Sequence, residues 1–195
     1  MTEYNRSWLI PLRFVALLWV IKVIEMIFHI SFAGFGIRPG ENFGLIGVLL
    51  APLLHGDVYH LLSNTVPLLI LGTSLFLLYP TVAYFVFFAS YFFTNLLVWL
   101  FAREPSLHIG ASGLVYGIAF FLMTIGLFRK DFKSLAVSIV VAFFYSGIVF
   151  GVFPITPGVS WESHLMGAFV GIGCAFVFSN SKRLERRQNE QVRRY

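Results

Sequence analysis

The sequence predicts an all-α polytopic membrane protein, a bundle of six transmembrane helices. Three observations lead there. Hydrophobic residues make up 58% of the 195 and charged ones 12%, about half the charge that a water-facing surface carries. Long apolar stretches recur along the whole chain, and the basic residues gather at alternate connections between them. No Ser-, Pro- or Gly-rich linker divides the sequence, so 8–179 reads as one helical domain between a short N-terminal segment, 1–7, and a basic tail, 180–195.

The first span, 8–33, is longer than a signal-peptide core and is followed by no small-residue cleavage site, so it is read as a retained anchor. Segment 43–54 (FGLIGVLLAPLL) carries two glycines and Pro52. It suits a stretch lying in the interface or folded back against protein better than a crossing, and it is assigned to a long outer loop. Spans 58–79 and 81–102 meet at a tight turn around Pro80. Spans 112–128, 134–153 and 162–179 complete the set, with lengths compatible with the ~20 helical residues that cross ~30 Å of hydrocarbon.

A net charge of +5 is compatible with a nucleic-acid partner, but its position argues against one. Lys182, Arg183, Arg186, Arg187, Arg193 and Arg194 face only Glu185 and Glu190 in the tail, which therefore holds four of the five net charges. Such a cluster directly after an apolar span is a topology anchor and a patch for the anionic lipid of a bilayer. With six spans both termini share a side. That side collects Arg6, Arg13, Arg129, Lys130, Lys133 and the tail, against Arg38 and Arg103 opposite, so both ends are expected to be cytoplasmic. The outer connections then carry His55, Asp57, Glu104, His108 and Glu162, and a site is expected at that face.

Histidine and asparagine inside hydrocarbon cost free energy unless they find partners or line a wet cavity. Three groups stand out: His60 with Asn64, Ser112 with Tyr116, and His164. Ser112 precedes Arg129 by 17 positions and His164 precedes Lys182 by 18, which at ~1.5 Å per residue sets them ~25 and ~27 Å above the cytoplasmic anchors. Asn64 precedes Pro80 by 16 positions, or ~24 Å, with His60 one turn farther out. All fall in one layer beneath the outer boundary. Each i, i+4 pair projects from one helix face. Gly113 with Gly117, and Gly167 with Gly171, form two GxxxG patterns that permit close helix approach.

Acyl transfer is the chemistry these residue types allow. Ser112, at a helix N-terminus in Gly110-Ala111-Ser112-Gly113, would be the nucleophile, and His164 would take its proton and return it to the leaving amine. The Ser112 N–H, the Asn64 amide and the His60 side chain could stabilise the oxyanion. No acid sits at this depth, so the reading is a Ser–His dyad with Tyr116 placed to pack against the imidazole.

The segments His55-Gly-Asp-Val-Tyr-His60-Leu-Leu-Ser-Asn64, Gly110-Ala-Ser112-Gly-Leu-Val-Tyr116 and His164-Leu-Met-Gly167-Ala-Phe-Val-Gly171 resemble the three motifs of the bacterial-type rhomboid intramembrane serine proteases. The resemblance covers roughly 8–180 and implies a six-helix core in a cell membrane, open to water from outside, that cleaves transmembrane segments of other proteins near their outer ends. It implies Ser112 as nucleophile, His164 as base, and His60 and Asn64 as oxyanion ligands with Gly110 in the same loop. Many members carry a Trp-Arg pair in the first outer loop, where this chain reads Ile46-Gly47.

Each feature has a plainer explanation. A Ser in a small-residue tetrapeptide is, taken alone, more often a packing residue, and His164 alone could cap a helix or bind lipid. Their coincidence in depth with His60 and Asn64 reverses those odds. His55, five residues from His60, is off the i, i+4 face and receives a supporting or loop-ordering role. No His-Glu-x-x-His motif occurs, and the one cysteine, Cys174, lies in an apolar stretch, so neither a metal nor another cofactor is expected. Lys22, Glu25 and His29 share one face of the first span, most simply as a local Lys22–Glu25 pair. Two other classes are retained: a catalytically inactive rhomboid-like binder of membrane segments, which predicts loss of Ser112 or His164, and a small transporter, which predicts an internal repeat. The oligomeric state is left open.

Overall fold

The computed structural model describes residues 6, 8–155 and 158–180. The basic tail beyond Asn180 and most of segment 1–7 lie outside the described residues. Within them the chain is all-helical: α1 Leu9–Phe28, α2 Leu45–Leu50, α3 Val58–Leu78, α4 Pro80–Phe101, α5 Ser112–Arg129, α6 Phe132–Phe144 and α7 Trp161–Val177. The described residues hold no strand, only an isolated antiparallel bridge between Ile37 and His108.

Local chemistry sets the helix ends. Asp57 caps α3 by accepting from the His60 N–H (2.7 Å), and Asp131 caps α6 by accepting from the Ser134 N–H (3.1 Å). Pro80 opens α4, where a missing N–H is harmless. His29 (φ 51°) and Lys130 (φ 53°) end α1 and α5 in the left-handed conformation.

Two span boundaries are corrected, and the long outer loop holds a helix. Within segment 43–54 lie the short helix α2 and a 3-10 turn, Ala51–Leu53, that has Pro52 near its start. The span expected at 134–153 is broken, because α6 stops at Phe144 and continues as a 3-10 stretch, Ser146–Val152, bent by 71°. Among the described residues only α3, α4 and α5 are individually long and apolar enough to cross a membrane, with α6 and its continuation a fourth if that bent pair is one span. The remaining two fall short for different reasons. α7 is apolar but has 17 residues, and α1 has the length yet carries Arg13, Lys22 and Glu25. The first span also ends earlier than 33, at Phe28.

α5 is the central helix, 61% buried against 39% for α3 and for α4. Its Ile118, Phe121, Leu122 and Ile125 are fully enclosed together with Leu68, Leu71 and Leu75 of α3. Small residues govern its flanks. A β carbon on Gly117 would meet Cβ of Ser90 on α4 at 2.5 Å, and one on Gly126 would meet Cα of Leu135 on α6 at 2.6 Å. Ser138 stitches α6 to α5 by accepting from the Gly126 N–H (2.9 Å) and donating to the Leu122 carbonyl (2.8 Å). Phe85, Phe88, Phe92 and Phe93 of α4 instead point outward and are exposed, an apolar surface that lipid rather than water would cover.

Candidate active site

The N-terminal ends of α3, α5 and α7 converge on a cavity of about 660 Å³. His60 and Asn64 enter it from α3, Ser112 and Tyr116 from α5, and His164 from α7. Five of the residues singled out in the sequence thus share one chamber, walled on its apolar side by Pro67, Val115 and Ile148.

Ser112 is the first residue of α5, and no side-chain cap covers that turn. The opening N–H groups of a helix have no intrahelical acceptor, so they and the helix dipole favour negative charge at this end. The preceding loop is held on several sides. The Gly110 N–H donates to the Ala51 carbonyl (2.8 Å), and the Ala111 N–H donates to His55 Nε2 at a long 3.4 Å. Gly110 adopts φ +108°, and a β carbon there would lie 2.6 Å from His60 Nε2. Only glycine suits both the backbone and the space. The loop therefore lies directly against the His60 imidazole.

His55 sits outside α3, buried, with its ring edge-on to that of His60 at 5.0 Å between centroids. Burial pushes its pKa down to about 4, and the neighbouring His60 pushes the same way. The ring is therefore neutral near pH 7, which is what lets Nε2 accept from Ala111. Asp57, exposed at the start of α3, is held below the usual carboxylate range by the His60 N–H it accepts from.

His164 is 8% exposed and stacks flat on Tyr116, with 4.0 Å between centroids and 5° between planes. Its Nδ1 lies 2.9 Å from the Gly151 carbonyl. A carbonyl can only accept, so Nδ1 carries the hydrogen and the neutral ring presents a lone pair at Nε2. Gly151 was not among the sequence candidates. Its role is carried by a backbone oxygen, which no residue-type pattern reveals. A side chain there would strike Tyr116, including its Cζ at 2.9 Å.

The two GxxxG patterns face each other. β carbons at Gly167 and Gly171 would collide with the Gly113 and Gly117 carbonyls respectively, so α5 and α7 are in backbone contact at the level of the cavity. Outside the cavity lining, His108 pairs its backbone with Ile37 and its ring with Ser106 Oγ (2.8 Å), and Arg103 Nε meets Glu162 Oε1 at 2.9 Å. Burial lowers the His108 pKa. Where many rhomboids carry Trp-Arg, the backbone of Gly36–Ile37 packs so tightly on Gly47 that a β carbon has no room. Among the described residues no group of three or more His, Cys, Asp or Glu side chains could hold a metal ion.

A family model and curated relatives match the chain. The Rhomboid domain model matches residues 42–181, which hold every cavity residue named above. An uncharacterized protein of Mycobacterium tuberculosis is 38% identical over 185 residues, covering 90% of this chain and 76% of its own. An uncharacterized protein of Mycobacterium leprae is 34% identical over 203 residues, covering 97% and 80%. All-helical, apolar on its outer surface and matched by the domain model over most of its length, the chain belongs to the rhomboid family.

Proposed function

We propose that the protein is an intramembrane serine endopeptidase that hydrolyses transmembrane segments of other membrane proteins near their outer ends. The observation that carries this reading is the shared cavity of Ser112 and His164, with the imidazole tautomer set by Gly151 so that Nε2 is the basic nitrogen. Membership of a family whose members are generally such proteases supports it.

Ser112 Oγ attacks the scissile carbonyl as His164 Nε2 removes its proton. The tetrahedral oxyanion forms against the N–H groups at the start of α5, the Asn64 amide and the His60 ring. The Asn64 amide already donates one N–H to the His60 carbonyl (2.9 Å), which fixes the side chain and leaves its second N–H for the oxyanion. His164 then protonates the leaving amine, and water repeats the cycle on the acyl-enzyme. The imidazolium that forms midway is stabilised by the Gly151 carbonyl at Nδ1 and by the face of Tyr116. A helical peptide bond is shielded by its own hydrogen bonds, so the substrate presents an extended stretch to the cavity, entering with water from the outer face. Asp57, at the cavity rim, helps hold the first turn of α3 in register for that approach.

The test is covalent labelling. A fluorophosphonate probe is expected to label the detergent-solubilised protein, and Ser112→Ala and His164→Ala are expected to abolish labelling. Equal labelling in all three removes the dyad. Gly151→Ala supplies a second check, since the new methyl group has to displace Tyr116 and crowd His164 Nδ1, 3.3 Å away. A displaced base is expected to slow labelling about 10–100-fold with the fold retained, as read by labelling rate alongside a thermal unfolding curve.

A further inference from the structure

The charged pair of α1 lies outside the cavity, yet its contacts lead to it. Lys22 and Glu25 form a 2.9 Å ion pair with side chains only 12% and 4% exposed. All three ammonium hydrogens have acceptors, because Lys22 Nζ also lies 2.9 Å from the His55 carbonyl and 3.1 Å from the Gly56 carbonyl. Glu25 Oε1 accepts from the Phe32 N–H at 2.7 Å, which fastens the chain leaving α1 to the same cluster.

The turn that Lys22 grips is the one that feeds the oxyanion half of the site. His55 sends its ring to the Ala111 N–H and against His60, and the next residue after Gly56 is the Asp57 cap that starts α3. A sheltered ion pair contributes little net stability relative to apolar packing of the same volume, because desolvation offsets the attraction. What it adds is direction, since the ammonium aims at two carbonyl oxygens that no alkyl group would orient.

We infer that Lys22 and Glu25 are positioning residues for catalysis, a clamp that sets the His55-Gly56 turn and through it the His60 imidazole and the Gly110-Ala111 loop. This inference rests on the serine protease reading. Neither side chain lines the cavity, so the clamp is expected to act on the reacting geometry and not on substrate binding.

The experiment uses the full chain in liposomes with a single-span model substrate bearing a fluorophore and quencher on either side of its outer juxtamembrane segment. Lys22→Met/Glu25→Met removes both charges at similar volume. Its kcat is expected to fall about 10–100-fold, the cost of small misplacements at a reacting centre, with KM within about twofold. Glu25→Gln keeps the acceptor for the Phe32 N–H and tests the same point should the double variant not fold, with a several-fold fall in kcat expected. Wild-type kcat in either folded variant overturns the clamp and leaves the serine reading standing. Equal cleavage by wild type and Ser112→Ala overturns the serine reading, and the clamp's catalytic role with it.

Discussion

Ser112→Ala and His164→Ala are each expected to lower turnover of a transmembrane substrate by at least ~10³-fold, with the double variant no slower than the worse single one. In the proposed mechanism the two side chains serve one step. Without the hydroxyl there is no proton for the imidazole to take, and without the base the hydroxyl is a poor nucleophile at neutral pH, so removing either forfeits the same gain. What remains in all three proteins is the orienting and oxyanion-stabilising power of His60, Asn64 and the start of α5. Initial cleavage rates in liposomes check this, normalised to folded protein. Losses that multiply in the double variant would mean independent roles and would break the dyad.

The second large effect is structural. Gly167→Val or Gly171→Val is expected to destabilise the protein by about 3 kcal/mol, the upper end for overpacking. At these positions the obstruction is the backbone of α5, which cannot swing away as a side chain can. The Gly113 and Gly117 carbonyls stand against the two glycines, with Tyr116 Cβ at 3.1 Å from a β carbon on Gly167 and Phe121 N at 2.9 Å from one on Gly171. Forcing the helices apart also draws His164 away from Ser112, so activity is lost along with the unfolding midpoint. Gly173, two residues farther on α7, is the internal control. Nothing lies within 4 Å of a β carbon there, and Gly173→Ala is expected to leave the midpoint unchanged or slightly raised, since alanine is the better helix former. Thermal unfolding of the three variants in one detergent separates these outcomes.

The legible part of the site was legible because hydrocarbon makes polar residues conspicuous. Ser112, His164, His60 and Asn64 are conspicuous in an apolar chain, and counting helical rise from the basic anchors and from the turn at Pro80 brings them to one layer, where the structure has them around one cavity. Gly151 escaped for the converse reason: it acts through a carbonyl, and every residue has one. Lys22 and Glu25 could be paired from their spacing, but the carbonyls of His55 and Gly56 that complete the cluster lie more than 30 positions away. The break after Phe144 escaped because 134–153 carries no charged residue, and hydropathy does not register where helical hydrogen bonding changes. The short helix α2 escaped because its six residues are too few for a periodic signal.

That break has a consequence for the surrounding lipid. With 13 residues, α6 extends ~20 Å along its axis, some ~10 Å less than the hydrocarbon thickness of an ordinary bilayer. The 3-10 stretch beyond it turns aside by 71° and recovers little of that height. With α6 and its continuation taken as one span, acyl chains beside it would have to shorten or tilt to meet it, at a fraction of a kcal/mol per ångström, and the exposed rings of Phe143, Phe144 and Phe150 would line that border. A foreign helix drifting against this flank would find its own upper turns standing above the local oil, already in contact with water. Under the proposed function, such thinning would begin to expose a substrate segment to water before any side chain of the protein touched it.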